Sequence, residues 1–314
     1  MLTNKPARKF IFLLLSLSVF SASYLPAEGS NPAEGSNPAE GSNPAEGSNP
    51  AEGSLQAEGS RTEISVKLTH GVDESAGGDA VYIITTDLAT YYLEKEGGGL
   101  SSIVDSEGVD WLGFHKQEGS GWKGEYRGFP NSVHKQDGSY FHAMNAGTDS
   151  STSLVNKVDH DHIQIVFTSD NGQWQGRWDF YPDRCDFTMV KVSEGYKYWV
   201  LYEGVPGGSM DDSDFWYASM NNKKHFINES FNGDFPGPEW IAFGDAKSPR
   251  MLYILNHQDD EELDEYVKRP YMTVLGFGRS GKDKFLNTPK TFSIGLIEST
   301  EYDEIAQTID AVLK

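Results

Sequence analysis

Strand-like alternation of apolar and polar positions, often loose, recurs along most of this chain, and helical periodicity is clear in one place only. Residues 64–70 (ISVKLTH) alternate with period two, and 80–86 (AVYIITT) and 90–96 (TYYLEKE) do so loosely, the pattern of strands with one buried face. A Gly-rich turn, a short strand, a D-S-E-G turn and another strand are predicted over Gly97 to Phe114. Further strands are expected at 162–168 (HIQIVFT), 174–181 (WQGRWDFY), Asp186 to Val192 and 197–202 (KYWVLY). Asp170-Asn171-Gly172 supplies the hairpin signal between the first two of these. SMDDSDFWYASM runs from a loop into a strand, and 239–245, 250–257, 272–279 and 291–298 complete the set. Two prolines and two glycines make Asn232 to Glu239 a loop. Near the end, Ile305, Ile309 and Val312 share a helical face, with Thr300 and Asp303 placed like a capping box. Turn signals every eight to twelve residues between aromatic and β-branched runs predict an all-β fold, a large antiparallel β-sandwich with one short C-terminal helix.

The first residues break this pattern. Lys5, Arg8 and Lys9 precede an apolar run from Phe10 to Phe20, and Ser21, Ala22 and Ser23 offer a cleavage zone, so 1–23 reads as a signal peptide. The apolar run is short of the ~20 residues of a membrane span. No cysteine follows it, which argues against a lipid anchor and for a secreted or periplasmic protein without membrane insertion. From Pro26 the hexapeptide PAEGSN recurs at Pro32, Pro38 and Pro44 and decays by Ser60. It carries no aliphatic residue larger than alanine, cannot bury a core, and reads as a flexible linker over 24–60. Residues 61–314 are left for one folded domain.

Charge and cysteine narrow the class. With 26 Lys and Arg against 47 Asp and Glu, the net charge is −21, which argues against a nucleic-acid partner, whose binding rests on neutralising phosphates. The single cysteine, Cys185, cannot form an internal disulfide. Two flanking aspartates, Asp183 and Asp186, oppose a reactive thiolate there. No G-x-S-x-G, HExxH, P-loop or dinucleotide fingerprint is present.

Candidate chemistry concentrates in Gly124–Gly147, GEYRGFPNSVHKQDGSYFHAMNAG, which interleaves proton-transfer groups with glycines and carries a slight positive balance inside an acidic chain. Such a set suits β-elimination on an acidic polysaccharide. A base removes the proton α to a uronate carboxylate while a cation or amide steadies the developing enolate. Arg127 and Asn145 have the chemistry to steady that charge, His134 or His142 to act as base, and Tyr271 to donate to the leaving oxygen. Tyr126, Lys135 and His257 are expected to bind substrate, and Trp122, in GSGWKG, to offer a ring for a sugar face. Glu203, at the end of an aromatic strand before a Gly/Pro loop, is a second acid–base candidate. Paired with Asp214 or Glu239 it would instead support hydrolysis. Carboxylates at Asn256 to Tyr266 could ligate calcium, but their spacing matches no EF-hand pattern, so neither a metal nor a cofactor is expected.

Residues Tyr91 to Phe114, YYLEKEGGGLSSIVDSEGVDWLGF, resemble the opening of galactose-mutarotase-like sandwiches, in which a strand, a Gly turn, L-S-S-I-x-D, a second turn and D-W recur. The resemblance implies a large antiparallel sandwich with a sugar site on one sheet. That superfold serves sugar epimerases and domains of polysaccharide lyases and glycoside hydrolases. Mutarotase sites use histidines and a glutamate, to which His134, His142 and Glu203 would be analogous. The expectation is a secreted carbohydrate-active enzyme, a polysaccharide lyase, with a glycoside hydrolase, a sugar epimerase or a non-catalytic carbohydrate-binding protein as alternatives. A polysaccharide or oligosaccharide is the expected partner.

Overall fold

The alternating segments do form strands. The computed structural model describes residues 65–113, 127–134, 137–143 and 149–314. The signal-like start, the repeat, Trp122, Tyr126, Lys135 and Asn145 lie outside them. β1 (Lys67–Asp73), β2 (Asp79–Thr85), β3 (Ala89–Glu94) and β4 (Leu100–Asp105) pair in sequence order as an antiparallel meander. β5 (Ser151–Val158), β6 (Ile163–Ser169), β7 (Trp174–Phe180) and β8 (Cys185–Val192) form a second meander. It is extended by β19 (Thr291–Ile297), β14 (Met251–Asn256), β13 (Glu239–Asp245), β10 (Asp214–Ala218) and β11 (Asn221–Phe226) into a nine-stranded sheet among the described residues. β9 (Val200–Gly204), β16 (Met272–Phe277), β15 (Asp264–Arg269) and β12 (Phe231–Gly233) make a further four-stranded sheet, and β17 (Arg279–Ser280) with β18 (Asp283–Lys284) a small hairpin.

Side chains from all three large sheets meet in one core. Tyr91 packs on Phe180 with ring centroids 5.6 Å apart, Tyr202 on Phe243 at 5.5 Å, and Phe277 on Phe292 at 5.8 Å. The nine-stranded sheet is thus one layer, and the two four-stranded sheets together are the other, the arrangement of a β-sandwich. Trp178 ties the layers. It is fully buried against Phe129 and Phe187, and its Nε1 donates to the carbonyl of Gly98 at 2.9 Å. Truncating such a residue to alanine costs about 3–5 kcal/mol. Strands β13 and β14 are buried throughout because both their faces are covered. Phe243 and Ile254 face the main core, while Trp240, Tyr253 and Leu255 face Ile305 and Ile309 of α1 (Tyr302–Val312).

The two four-stranded sheets join at a seam. Phe129 bridges to Leu100 of β4, and Gly128 bridges to Glu203 of β9, so the short segment 128–129 knits the two edges together. A Cβ on Gly128 would lie 2.8 Å from the Ala143 Cβ and 2.9 Å from the Leu100 carbonyl oxygen, which explains the glycine.

Several local expectations need correction. The helix N-cap is Glu301 and makes no side-chain cap hydrogen bond, so Thr300 and Asp303 do not form a capping box; Asp303 and Glu304 instead lie in the first turn, where carboxylates favour the helix dipole. Asn232 and Gly233, read as loop, belong to β12, and the acidic run after Asn256 enters strand β15 at Asp264. β11, NNKKHF, carries no apolar alternation and was not expected as a strand. It is a mostly exposed edge, where lysines discourage further pairing. Cys185 is a buried free thiol whose pKa burial pushes up.

Candidate active site

Alternation along β9 decides which side chains can reach a site. Val200 and Tyr202 point into the core, which turns Trp199, Leu201 and Glu203 to the opposite face. The same alternation in the neighbouring strands turns Met272 and Val274 of β16, and Glu265 and Arg269 of β15, to that face. Together they floor a cavity of about 850 Å³. Its walls come from the turn at Gly195 with Lys197, from the β17–β18 hairpin with Arg279, Lys282, Asp283 and Lys284, and from His134 and His142.

The seam positions the histidines. Leu201 N–H donates to the Pro130 carbonyl at 2.6 Å and Trp199 N–H to the Ser132 carbonyl at 3.3 Å, so 128–133 runs beside β9 as an added strand. Asn131 takes a left-handed φ of 40°, a conformation asparagine tolerates better than most residues. Its Nδ2 donates to Glu203 Oε2 at 2.6 Å, and its carbonyl accepts from Trp199 Nε1 at 2.9 Å. Val133 then bridges to Tyr140, closing a loop that brings His134 over His142, with ring centroids 5.2 Å apart and planes 29° from parallel. His142 Nδ1 lies 2.5 Å from the Ala143 carbonyl oxygen. A carbonyl only accepts, so Nδ1 carries the hydrogen and, in the neutral ring, Nε2 carries the basic lone pair.

Cations stack on one aromatic ring at the wall. The Arg279 guanidinium is 5.3 Å and the Lys284 ammonium 4.7 Å from the centre of Trp199. Arg279 Nε also pairs with Glu265 at 3.2 Å, and Lys284 Nζ donates to the His134 carbonyl at 2.8 Å. Burial pulls the Lys284 pKa down from 10.5 to about 8, against the opposing pull of Asp137. Gly276 permits this packing, since a Cβ there would come within 2.6 Å of Arg279 Cδ and 2.7 Å of Leu201 Cδ2.

Of the residues singled out in the sequence, the structure brings His134, His142 and Glu203 together around this cavity. Three others stand elsewhere. Arg127 is buried, donates through Nη1 to the Gly113 carbonyl and has Asp110 and Tyr202 as charge partners; burial lowers its pKa. His257 sits just past β14 with Nε2 2.6 Å from Ser293 Oγ, and burial lowers its pKa too. Tyr271 is 57% exposed at the turn between β15 and β16. None of the three lines the cavity. Nor do Asp214 and Glu239, which belong to β10 and β13 of the opposite layer, so neither proposed carboxylate pair with Glu203 assembles there. Asn131, Lys197, Trp199, Arg269, Arg279 and Lys284 were missed. A count of charge by window would have found part of the set, because Arg279, Lys282 and Lys284 form a basic run in a very acidic chain.

No family model matches the chain, and no curated protein sequence matches it. Solved structures do resemble it. Galactose mutarotase relatives are among them. A galactose mutarotase-related enzyme from Lactobacillus acidophilus is 8% identical at a TM-score of 0.44 over 70% of this chain and 99% of that one. The protein HI1317 is 12% identical at a TM-score of 0.47 over 74% of this chain and 100% of that one. A YidC insertase, 12% identical at a TM-score of 0.41, covers 80% of this chain and 46% of its own. Identities and scores this low carry nothing about chemistry, and an insertase among the neighbours makes the same point.

Proposed function

We propose that this cavity binds an anionic, uronate-containing polysaccharide and cleaves it by β-elimination, in a protein that is exported by its signal-like N-terminus. The observation that carries the reading is the charge of the lining. In a chain of net charge −21, the cavity collects Lys197, Arg269, Arg279, Lys282 and Lys284 against Glu203, Glu265 and Asp283. A net-negative chain repels anions on the whole, and a positive cleft focuses them here.

The lining supplies the groups that elimination requires. His142 Nε2 accepts the proton α to the uronate carboxylate. Arg269 and Arg279 hold that carboxylate as the enolate develops, because a guanidinium fork matches a carboxylate's geometry. The electron pair of the broken C–H bond forms the carbon–carbon double bond, and the glycosidic C–O bond breaks. Lys284, with a pKa of about 8, donates the proton that the leaving oxygen takes up. Arg127 and Tyr271, the sequence candidates for enolate stabiliser and proton donor, give way in this scheme to cations that line the cavity.

Incubation with pectate, alginate, glucuronan and ulvan tests the proposal, read by the ultraviolet absorbance of the unsaturated uronate and by release of new reducing ends. Absorbance should rise on at least one substrate, and His142→Gln should lower the rate by about 10²-fold or more. New reducing ends without absorbance would overturn the reading in favour of hydrolysis, for which Glu203 and Glu265 are the glutamates in the lining. Binding with no turnover on any substrate would overturn it in favour of a saccharide-binding protein.

A further inference from the structure

At the far layer of the sandwich, three carboxylates are gathered where their mutual repulsion calls for a positive charge. Asp214 opens β10 and Asp245 closes β13, and the two are directly opposite partners in the antiparallel ladder. Like charges in that position are destabilising. Asp211, in the loop that enters β10, completes a group whose carboxylate oxygens lie within 4.8 Å of one another. Asp214 is fully buried. Its Oδ2 accepts from the Asp211 N–H at 2.9 Å, but its Oδ1 has no hydrogen-bond partner among the described residues. An orphaned carboxylate oxygen in such a place is costly unless something satisfies it.

We propose that Asp211, Asp214 and Asp245 form a site for a divalent cation of the calcium class. The donors are all oxygens, with no imidazole or thiolate among the three, which favours a hard cation over zinc or copper. Charge balance agrees. The Lys247 ammonium pairs with Asp211, so three carboxylates and one ammonium leave a deficit of two, which one dication cancels. The surroundings hold the carboxylates for this role. Ser213 Oγ lies within hydrogen-bonding reach of both Asp211 Oδ1 and Asp245 Oδ1, with one hydrogen to share between them, and the Lys247 N–H donates to Asp245 Oδ1 at 3.0 Å. Beside the other Asp245 oxygen stands Gly207, with a φ of 59°, where a Cβ would intrude to 2.6 Å; the glycine keeps that oxygen approachable. The loop the cation would fasten, residues 205–213, leaves directly from the end of β9, the strand that carries Glu203. A bound cation therefore anchors the exit of a strand that floors the cavity, while sharing no residue with it.

Calorimetric titration of the chelator-treated full chain with calcium chloride, in parallel with thermal melts, tests the site. One calcium per chain should bind, with a dissociation constant on the order of 10⁻⁴–10⁻³ M as in extracellular modules. Saturation should raise the melting temperature by a few degrees. Asp214→Asn should weaken binding at least tenfold, yet without calcium the variant should melt no lower than the parent, because the amide relieves the repulsion. Lys247→Met should tighten binding by removing the competing ammonium. No saturable binding by about 10 mM calcium would overturn the proposal, as would binding that Asp214→Asn leaves intact. Loss of stability in calcium-free Asp214→Asn would also overturn it, by assigning that carboxylate a purely structural role.

Discussion

Lys284 offers the sharpest test of how the cavity holds its positive charge. Its ammonium is drawn over Trp199 and toward the His134 carbonyl, and the loss of water around it brings the pKa from 10.5 to about 8. That fall corresponds to at most about 3 kcal/mol, and partial exposure of the side chain reduces it to roughly 2 kcal/mol. The sign follows from proton counting. Folded chains release this proton near pH 8 and unfolded chains keep it to about 10.5, so between those values the unfolded state binds more protons. Stability from this group therefore rises as pH rises through that window, and its penalty is constant below it. Lys284→Met keeps an unbranched apolar stem and removes the titration. Urea unfolding of both proteins at intervals from about pH 7 to 10.5 gives a stability difference in which the other titrating groups cancel. That difference should move by roughly 2 kcal/mol in favour of lysine across the window. The absolute difference at pH 7 does not test the argument, because methionine also gives up the hydrogen bond and the cation–π contact. A difference that stays flat within about 0.5 kcal/mol would refute it, by showing that the ammonium remains hydrated in the folded chain.

Two further substitutions probe the geometry around it. Gly276→Ala places a methyl group within 2.6 Å of Arg279 Cδ, so it should cost about 1–3 kcal/mol in thermal or urea unfolding and weaken uronate binding about tenfold by turning Arg279 aside. Unchanged affinity would show that Arg279 does not meet the ligand. Glu203→Gln replaces the charged acceptor of the 2.6 Å bond from Asn131 with a neutral one, and should lower stability by about 1–2 kcal/mol in urea unfolding.

The histidines show how far a site can be read from a chain. His134 and His142 stood out because both fall in a Gly-rich, cation-bearing stretch that makes a poor core strand, and Glu203 because a carboxylate ends an aromatic run before a Gly/Pro loop. Arg127 shared the same stretch and the same apparent chemistry. It lies one residue before the seam at Gly128, on the side of Asp110 and Tyr202, and so misses the cavity. A single position along an extended segment reverses the side to which a residue points, and the register of an isolated bridge is not written in local pattern.

By itself, the sequence determined the all-β class, most of the described strands and the C-terminal amphipathic helix, because period two and period 3.6 are local properties of burial. It also carried the acidic charge, the one unpaired cysteine and the resemblance over Tyr91 to Phe114. Tertiary structure alone decided that 128–129 joins two sheets, and that Trp199, Arg269, Arg279 and Lys284 share a cavity with the two histidines. It alone set Asp214 opposite Asp245. These are contacts between residues up to 150 positions apart. Strand pairing brings them together, and pairing depends on which edges meet once the apolar faces are buried, a choice that no window of neighbouring residues contains.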